Sequence, residues 1–263
     1  MLRALQKAKN LKDRIYAGEP VLGTQLGLQD AASMEIFGRA GFDWASVDTE
    51  HTAQSLTSVQ AMMQAALGWD VVPFVRPLIF DHDEIRRFLD IGASGLLCPF
   101  IETADQAKRL VDACRYPPRG KRGWNPSRAS VFHMADDEYM AAYEESLIVL
   151  IIIESRLGAQ NAEEILAVDG IDGVTVGPMD LSMDLGVFRQ WDDPSYLAAV
   201  EQIRAGALAT GKAFGSGVYD EASARRAIAN KETLLLSLGD IAVLANGAAR
   251  LGADLRSAIE ATR

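Results

Sequence analysis

The chain has 263 residues, 49% of them apolar, and carries 36 Asp and Glu against 26 Lys and Arg, a formal net charge of −10. An ordinary apolar fraction excludes a disordered or collagen-like chain, and the acidic balance argues against a grip on nucleic-acid phosphates. The longest wholly apolar run, residues 147–153, is far short of the roughly 20 residues that span a bilayer as a helix, so neither a nucleic acid nor a membrane is expected as a partner.

Residues 1–20 lack the continuous apolar stretch of a signal peptide. Leu2, Leu5, Ala8, Leu11 and Ile15 recur at helical spacing and Gly18 follows as a stop, which predicts an amphipathic N-terminal helix. The basic residues Arg3, Lys7, Lys9, Lys12 and Arg14 leave a transit peptide as a second reading. Beyond it, short β-rich runs fall at 21–28, 44–48, 71–76, 95–99, 147–153, 173–177, 213–218 and 234–238, with helix-patterned segments between most of them. Strands alternating with helices mean a parallel sheet. Eight such units in this length predict one α/β domain over residues 1–263, a (β/α)8 TIM barrel with the N-terminal helix as a cap. An open doubly wound sheet is the competitor, weakened because no G-x-G-x-x-G follows the first strand.

Punctuation supports this phasing. Ser55 opens a helical pattern that closes at Gly68; Asp81 with Glu84 resembles a capping box, and Gly92 stands where a helix-ending glycine would. The long interval before the fifth strand holds Tyr116-Pro117-Pro118-Arg119-Gly120-Lys121-Arg122-Gly123-Trp124-Asn125-Pro126, either a solvated connector or a loop that closes over an anion or packs on another subunit. Cys98 and Cys114 make no disulfide framework and read as free thiols of a cytoplasmic protein.

In a barrel, functional side chains stand just past the strands, on one face. Those positions hold Asp48-Thr49-Glu50-His51, Arg76, Glu154 and Asp180. Glu154 follows seven apolar residues and needs a cation or donors. With Asp180 on the next strand it could hold a divalent cation, or each could pair with an arginine or cap a helix. His51 reads as a general base or as a hydrogen-bonded structural histidine. Arg76 could grip a carboxylate or steady an enolate, or pair with Glu50 or Glu154. No lysine ends a strand, which argues against a Schiff-base aldolase. The Gly215-Ser216-Gly217 turn is a weak phosphate-seat signal.

The motifs Gly41-Phe42-Asp43-Trp44, Asp48-Thr49-Glu50-His51, Val75-Arg76-Pro77, Leu89-Asp90-Ile91-Gly92-Ala93, Tyr116-Pro117-Pro118 with Arg122-Gly123, Ile153-Glu154-Ser155, Asp172-Gly173 and Gly177-Pro178-Met179-Asp180-Leu181-Ser182 follow in this order. With them, residues 23 to 251 resemble the HpcH/HpaI family of class II pyruvate aldolases. The resemblance implies reversible cleavage of a 4-hydroxy-2-oxo acid to pyruvate and an aldehyde, with Glu154 and Asp180 holding Mg2+, Mn2+ or Co2+. It implies His51 as proton acceptor, Arg76 as substrate binder and enolate stabiliser, and the backbone at Met179 against the pyruvate carboxylate, with Gly177, Pro178 and Asp180 beside it as substrate-binding residues. Asp90 matches a family aspartate that raises the histidine's basicity, and could reach a His51 only across a subunit interface, which fits the family's homohexamers. Two positions depart from the pattern. Ile152 replaces a glutamine and Gln25 replaces a tryptophan, so Gln25 is a candidate to supply the missing amide to substrate. The alternatives are a related metal-enolate lyase acting on a CoA ester or decarboxylating an oxo acid, and a non-catalytic barrel that only binds.

Overall fold

A computed structural model describes residues 2–78 and 81–262. Its elements run α1 (Arg3–Tyr16), β1 (Val21–Leu26), α2 (Ala31–Arg39), β2 (Trp44–Asp48), α3 (Leu56–Ala65), β3 (Val72–Arg76), α4 (His82–Asp90), β4 (Gly95–Cys98) and α5 (Ala104–Cys114). They continue with α6 (Asp136–Ser146), β5 (Ile148–Ile153), α7 (Arg156–Gln160), α8 (Ala162–Leu166), β6 (Gly173–Val176), α9 (Pro178–Asp184), α10 (Pro194–Thr210), β7 (Ala213–Gly217), α11 (Glu221–Ala229), β8 (Leu234–Leu236) and α12 (Asp240–Glu260). The strands close in sequence order into a parallel barrel, β8 pairing with β1. The open-sheet alternative is thereby excluded, and all eight predicted strands are present, each matching its run to within two residues at either end.

Local chemistry sets the boundaries. Ser55 and Ser58 form a reciprocal capping box on α3 and Thr103 with Gln106 another on α5. The Asp81 carboxylate accepts from the Glu84 N–H at 2.8 Å to start α4, and Gly92, at φ 106°, turns the chain out of it. α3 ends at Ala65 and passes into a single 3-10 turn that reaches Gly68.

The two-residue period of the strands sorts their side chains. Val47, Val75, Cys98, Ile151 and Val174 face outward into the core shared with the helices. Trp44, Val72, Phe74, Leu97, Ile148, Leu150, Ile152 and Leu234 fill the barrel interior, and Ala8, Leu11 and Ile15 of α1 join that cluster. The N-terminal helix therefore plugs the end where the strands begin. Lys12 ties it there through the Leu147 carbonyl at 2.6 Å and Asp172 at 3.1 Å. Both cysteines are buried free thiols.

α12 stands apart: of its residues only Asp240 is buried, and Ile241, Val243, Leu244, Leu251, Leu255 and Ile259 are exposed. The Asp240 carboxylate accepts from the N–H groups of Gly27 and Leu28 at 2.8 and 3.1 Å. Among the described residues no helix is long and apolar enough to cross a membrane.

Candidate active site

The inward columns of β2, β3 and β5 climb from Trp44, Val72 and Ile148 and end, at the carboxyl mouth, in Asp48, Arg76 and Glu154. Asp48 and Arg76 stand opposite each other in the β2–β3 register. The guanidinium donates from Nε to Asp48 Oδ1 at 3.0 Å and from Nη2 to Oδ2 at 2.6 Å. This fork-to-carboxylate pair is buried, which is the geometry in which such a pair is strongest. Burial raises the Asp48 proton affinity, but Arg76's hydrogen bonds and charge, helped by the N–H groups of His51 and Glu50, outweigh it and hold the carboxyl below its usual range. Sequence reasoning offered Glu50 or Glu154 as Arg76's partner. The principal partner is Asp48, and its position opposite Arg76 at the ends of neighbouring strands is the signal that could have named it.

Glu50 lies between the Arg76 guanidinium and the His51 ring. Its Oε2 is 3.3 Å from Arg76 Nε and 3.3 Å from His51 Nε2. Burial raises the Glu50 pKa against the pull of Arg76 and His51, and the charges of Asp48 and Asp180 add to the rise. The His51 side chain is 58% exposed, open to the mouth of the barrel rather than locked in the core. His82 and His133 bond to loop groups elsewhere, His82 to the Lys121 carbonyl and His133 to Asn125 and Asp136.

Glu154 is buried and accepts the Phe100 N–H on Oε1 at 2.9 Å. A Cβ on Gly177 would stand 2.2 Å from its other oxygen, Oε2. Only glycine leaves that oxygen its place. Burial pushes the Glu154 pKa up to about 7; the like charges of Asp180 and Glu50 add to the shift, and the Phe100 N–H and Arg76 oppose it. Asp180 is half-buried in the first turn of α9. Glu50 thus feels the charges of Asp48 and Asp180, Glu154 feels those of Asp180 and Glu50, and Asp48, Glu50 and Glu154 all feel the Arg76 guanidinium.

Gln25 is half-buried at the end of β1, in register with Ser46. It alternates with Gly23, whose missing side chain makes room for the inward Trp44 ring, and so faces the interior. Ile152 belongs to the apolar interior below Glu154. Asp90 is not brought to this cluster. It ends α4, at the opposite end of the barrel, where its carboxylate takes Arg122 Nη2 at 2.6 Å.

Two loop readings are corrected. Arg122 is neither solvated nor presented to an anion: its side chain is fully buried, paired with Asp90 and stacked between the Tyr116 and Tyr143 rings at 4.6 and 4.7 Å. The aromatic faces and the carboxylate replace its hydration. Gly215, Ser216 and Gly217 form no turn after the seventh strand but are the last residues of β7, paired with β8, and the Ser216 Oγ donates to Glu232 at 2.5 Å.

A closed parallel barrel with ionisable groups gathered at the carboxyl ends of its strands is the build of a (β/α)8-barrel enzyme. Residues 23–244 match the sequence profile of the HpcH/HpaI aldolase/citrate lyase family, and the chain belongs to that family. It is 38% identical over 251 residues to a hydroxypyruvate/pyruvate aldolase of Deinococcus radiodurans, covering 95% of this chain and 90% of that protein. It is 39% identical over 250 residues to a 4-hydroxy-2-oxo-heptane-1,7-dioate aldolase of Salmonella dublin, covering 92% and 94%. A crystal structure of a family member from Burkholderia cenocepacia superposes with a TM-score of 0.88 at 30% identity, covering 94% of this chain and 99% of that one. The chain is a carbon–carbon lyase of the aldolase type.

Proposed function

We propose that the enzyme is a class II pyruvate aldolase that reversibly cleaves a 4-hydroxy-2-oxo acid to pyruvate and an aldehyde. The observation that carries this reading is the gathering of Glu50, Glu154 and Asp180 beside a clamped arginine and an exposed histidine at the carboxyl mouth. The names of the relatives, aldolases of pyruvate and of a 4-hydroxy-2-oxo diacid, agree with it.

The residues fit a divalent cation. Burial, with the like charges of Asp180 and Glu50 adding to it, raises the Glu154 pKa to about 7, a cost that a bound cation would relieve, and its Oε2 is kept unobstructed by Gly177. Glu154 and Asp180 would hold Mg2+, Mn2+ or Co2+, ions served by one or two carboxylates with other oxygens completing the shell. Such an ion, when bound, supplies Lewis-acid polarisation of the 2-oxo group.

The chain's own residues do the rest. Asp48 occupies the Nε and Nη2 edge of Arg76, so its Nη1 end meets the substrate's oxo oxygen as charge develops there. His51 accepts the C4 hydroxyl proton, directly or through water, as the C3–C4 bond breaks. The bonding pair passes into the pyruvate enolate and C4 leaves as the aldehyde carbonyl; C3 then takes a proton. The main chain of segment 177–180 receives the pyruvate carboxylate, and Gln25 offers its amide to the substrate. Asp90 supports His51 only from a second copy of the chain. A homo-oligomer, a hexamer by family resemblance, agrees with the long bare apolar helix α12.

The test is exchange of pyruvate methyl protons in deuterated buffer, after chelation and with each metal restored. Exchange should vanish on chelation, return with metal, and fall on the order of a thousandfold in Glu154→Gln, the loss expected for several kcal/mol of charge stabilisation. Exchange that survives both full metal removal and Glu154→Gln would defeat the proposal.

A further inference from the structure

We propose that a pocket of about 470 Å³ between α9, α10 and the end of β7 is a second small-molecule site, outside the barrel, for an aromatic ring that carries a carboxylate. It is separate from the mouth. Val176 of β6 and Phe214 of β7 face the core shared with the helices, and Ser216, two residues past Phe214, lies on the same outward side. Val176 and Ser216 line the pocket, and none of Glu154, Asp180, His51, Arg76 or Gln25 does, so this site stands whether or not the mouth is that of an aldolase. The volume lies within the roughly 300–1,000 Å³ range of small-molecule sites.

The walls suit a flat apolar body. Trp191 and Tyr196 pack edge to face at 5.5 Å, and Tyr219 lines the same space. The strand end makes room for that third ring, because a Cβ on Gly217 would stand 2.4 Å from the Tyr219 hydroxyl. Burial and the neighbouring Tyr219 raise the Tyr196 pKa, so its hydroxyl stays protonated and able to donate. Folding leaves Trp191 40% and Tyr219 61% exposed. Aromatic faces left bare around a concavity are surfaces on which another ring stacks.

Arg189 supplies the charge. Among the described residues it is the one charged group that lines the pocket, and it has no carboxylate partner, whereas Arg76, Arg115, Arg122 and Arg204 are each paired. Its backbone is left-handed at φ 59°, a conformation that costs a non-glycine residue free energy and persists where the surroundings impose it. Here its N–H donates to Ser182 Oγ at 3.2 Å, which fixes this rim of the pocket to α9. A lone guanidinium without a second cation fits one carboxylate, bound through its fork, better than a doubly charged phosphate. Ser216 adds a polar contact. Its Oγ gives its proton to the buried Glu232 at 2.5 Å, and the Glu232 charge is balanced by Arg204 Nη2 at 3.0 Å. With that proton committed, Ser216 Oγ can only accept from a ligand, so a hydroxyl on the ring is favoured as well.

The experiment titrates 4-hydroxybenzoate into the whole protein by calorimetry, once metal-free and once with Mg2+ and saturating pyruvate. Binding should be the same in both states. Omitting the carboxylate, with phenol as probe, or the guanidinium, in Arg189→Gly, should each weaken binding roughly 10- to 100-fold, the worth of one charge-assisted contact. Glycine suits the left-handed backbone at 189, so this variant removes the charge without straining the fold, and Arg189→Lys should recover part of the affinity. Ser216→Ala should cost 4-hydroxybenzoate more affinity than benzoate. Arg225→Ala, an exposed arginine on α11 that pairs with Glu221, should change nothing. No binding at millimolar probe, phenol held as tightly as the acid, or affinity unmoved in Arg189→Gly overturns the proposal. Loss of binding when Mg2+ and pyruvate are added would put the probe in the mouth and overturn it too. None of these results alters pyruvate exchange, which decides the aldolase reading by itself.

Discussion

The two mouths of the barrel are made by the same strands and have opposite chemistry. Where the strands begin, Val21, Val72, Ile148 and Leu234 close on Ala8, Leu11 and Ile15 of α1, and the opening is sealed with hydrocarbon. Where they finish, the same inward columns present Asp48, Arg76 and Glu154. One end gains free energy by burial; the other spends it on a half-neutralised cluster of acids. The contrast teaches that the sealed end bears the cost of the reactive one, so damage to each should be read out by different measurements.

The largest effect is expected at the reactive mouth. His51→Ala should slow pyruvate proton exchange by roughly 10²- to 10⁴-fold, the range for a positioned base, while metal binding, followed by titration calorimetry, persists. Loss of the metal would instead make His51 a ligand and break the assignment. At the sealed side, Leu150→Ala removes a fully buried interior side chain and should lower unfolding stability by about 2–5 kcal/mol, seen as an earlier denaturation midpoint. The activity of the molecules that remain folded should change far less than in His51→Ala. A comparable loss of turnover without loss of stability would erase the distinction between the two ends.

The third effect tests the electrostatic cost of the mouth. Glu154 has its folded-state pKa raised from 4.5 to about 7. Its neutral form is favoured by folding, so its stabilising contribution is complete below the ordinary carboxylate value and is lost as pH rises through about 7. The metal-free protein should therefore lose on the order of 3 kcal/mol from this group across that window, measured by urea unfolding at pH 5 and 7.5, and added Mg2+ should restore it at the upper pH. Asp48 has the opposite sign: its stabilisation is lost only as pH falls through its depressed pKa, outside this window. A metal-free protein equally stable at both values would show that burial and the neighbouring acids do not hold the Glu154 pKa up.

Much of this was legible in the sequence. Each strand is a β-rich run bounded by turn residues, and the strand-end positions of Glu154, Asp180, Arg76 and His51 follow from counting to the end of each run. β4 stops before Pro99, which has no N–H to give the ladder, and β6 stops before Gly177, whose N–H still reaches the Ile153 carbonyl at 3.1 Å as the chain turns into α9. The pairing of Arg76 with Asp48 was missed because opposition across strands requires a register, which composition does not reveal. Arg122 was misread because a Pro- and Gly-rich surround marks a loop, while Tyr139 and Tyr143, two of the three tyrosines that bury it, come from α6, beyond that stretch. The demand for glycine at 177 comes from the approach of Glu154, whose Cβ and carboxyl group a side chain there would strike, and the sequence shows the glycine without this reason for it.

The alternation of side chains along β5 ties folding to catalysis more tightly than either needs alone. One inserted residue would swing the Glu154 carboxylate among the outer helices and turn Ile153 toward the incoming substrate. No lineage can let that strand drift out of phase, keep a greasy centre and still retain its acid; a frame error there would be filtered out first as misfolded protein, before any enzyme assay could detect it.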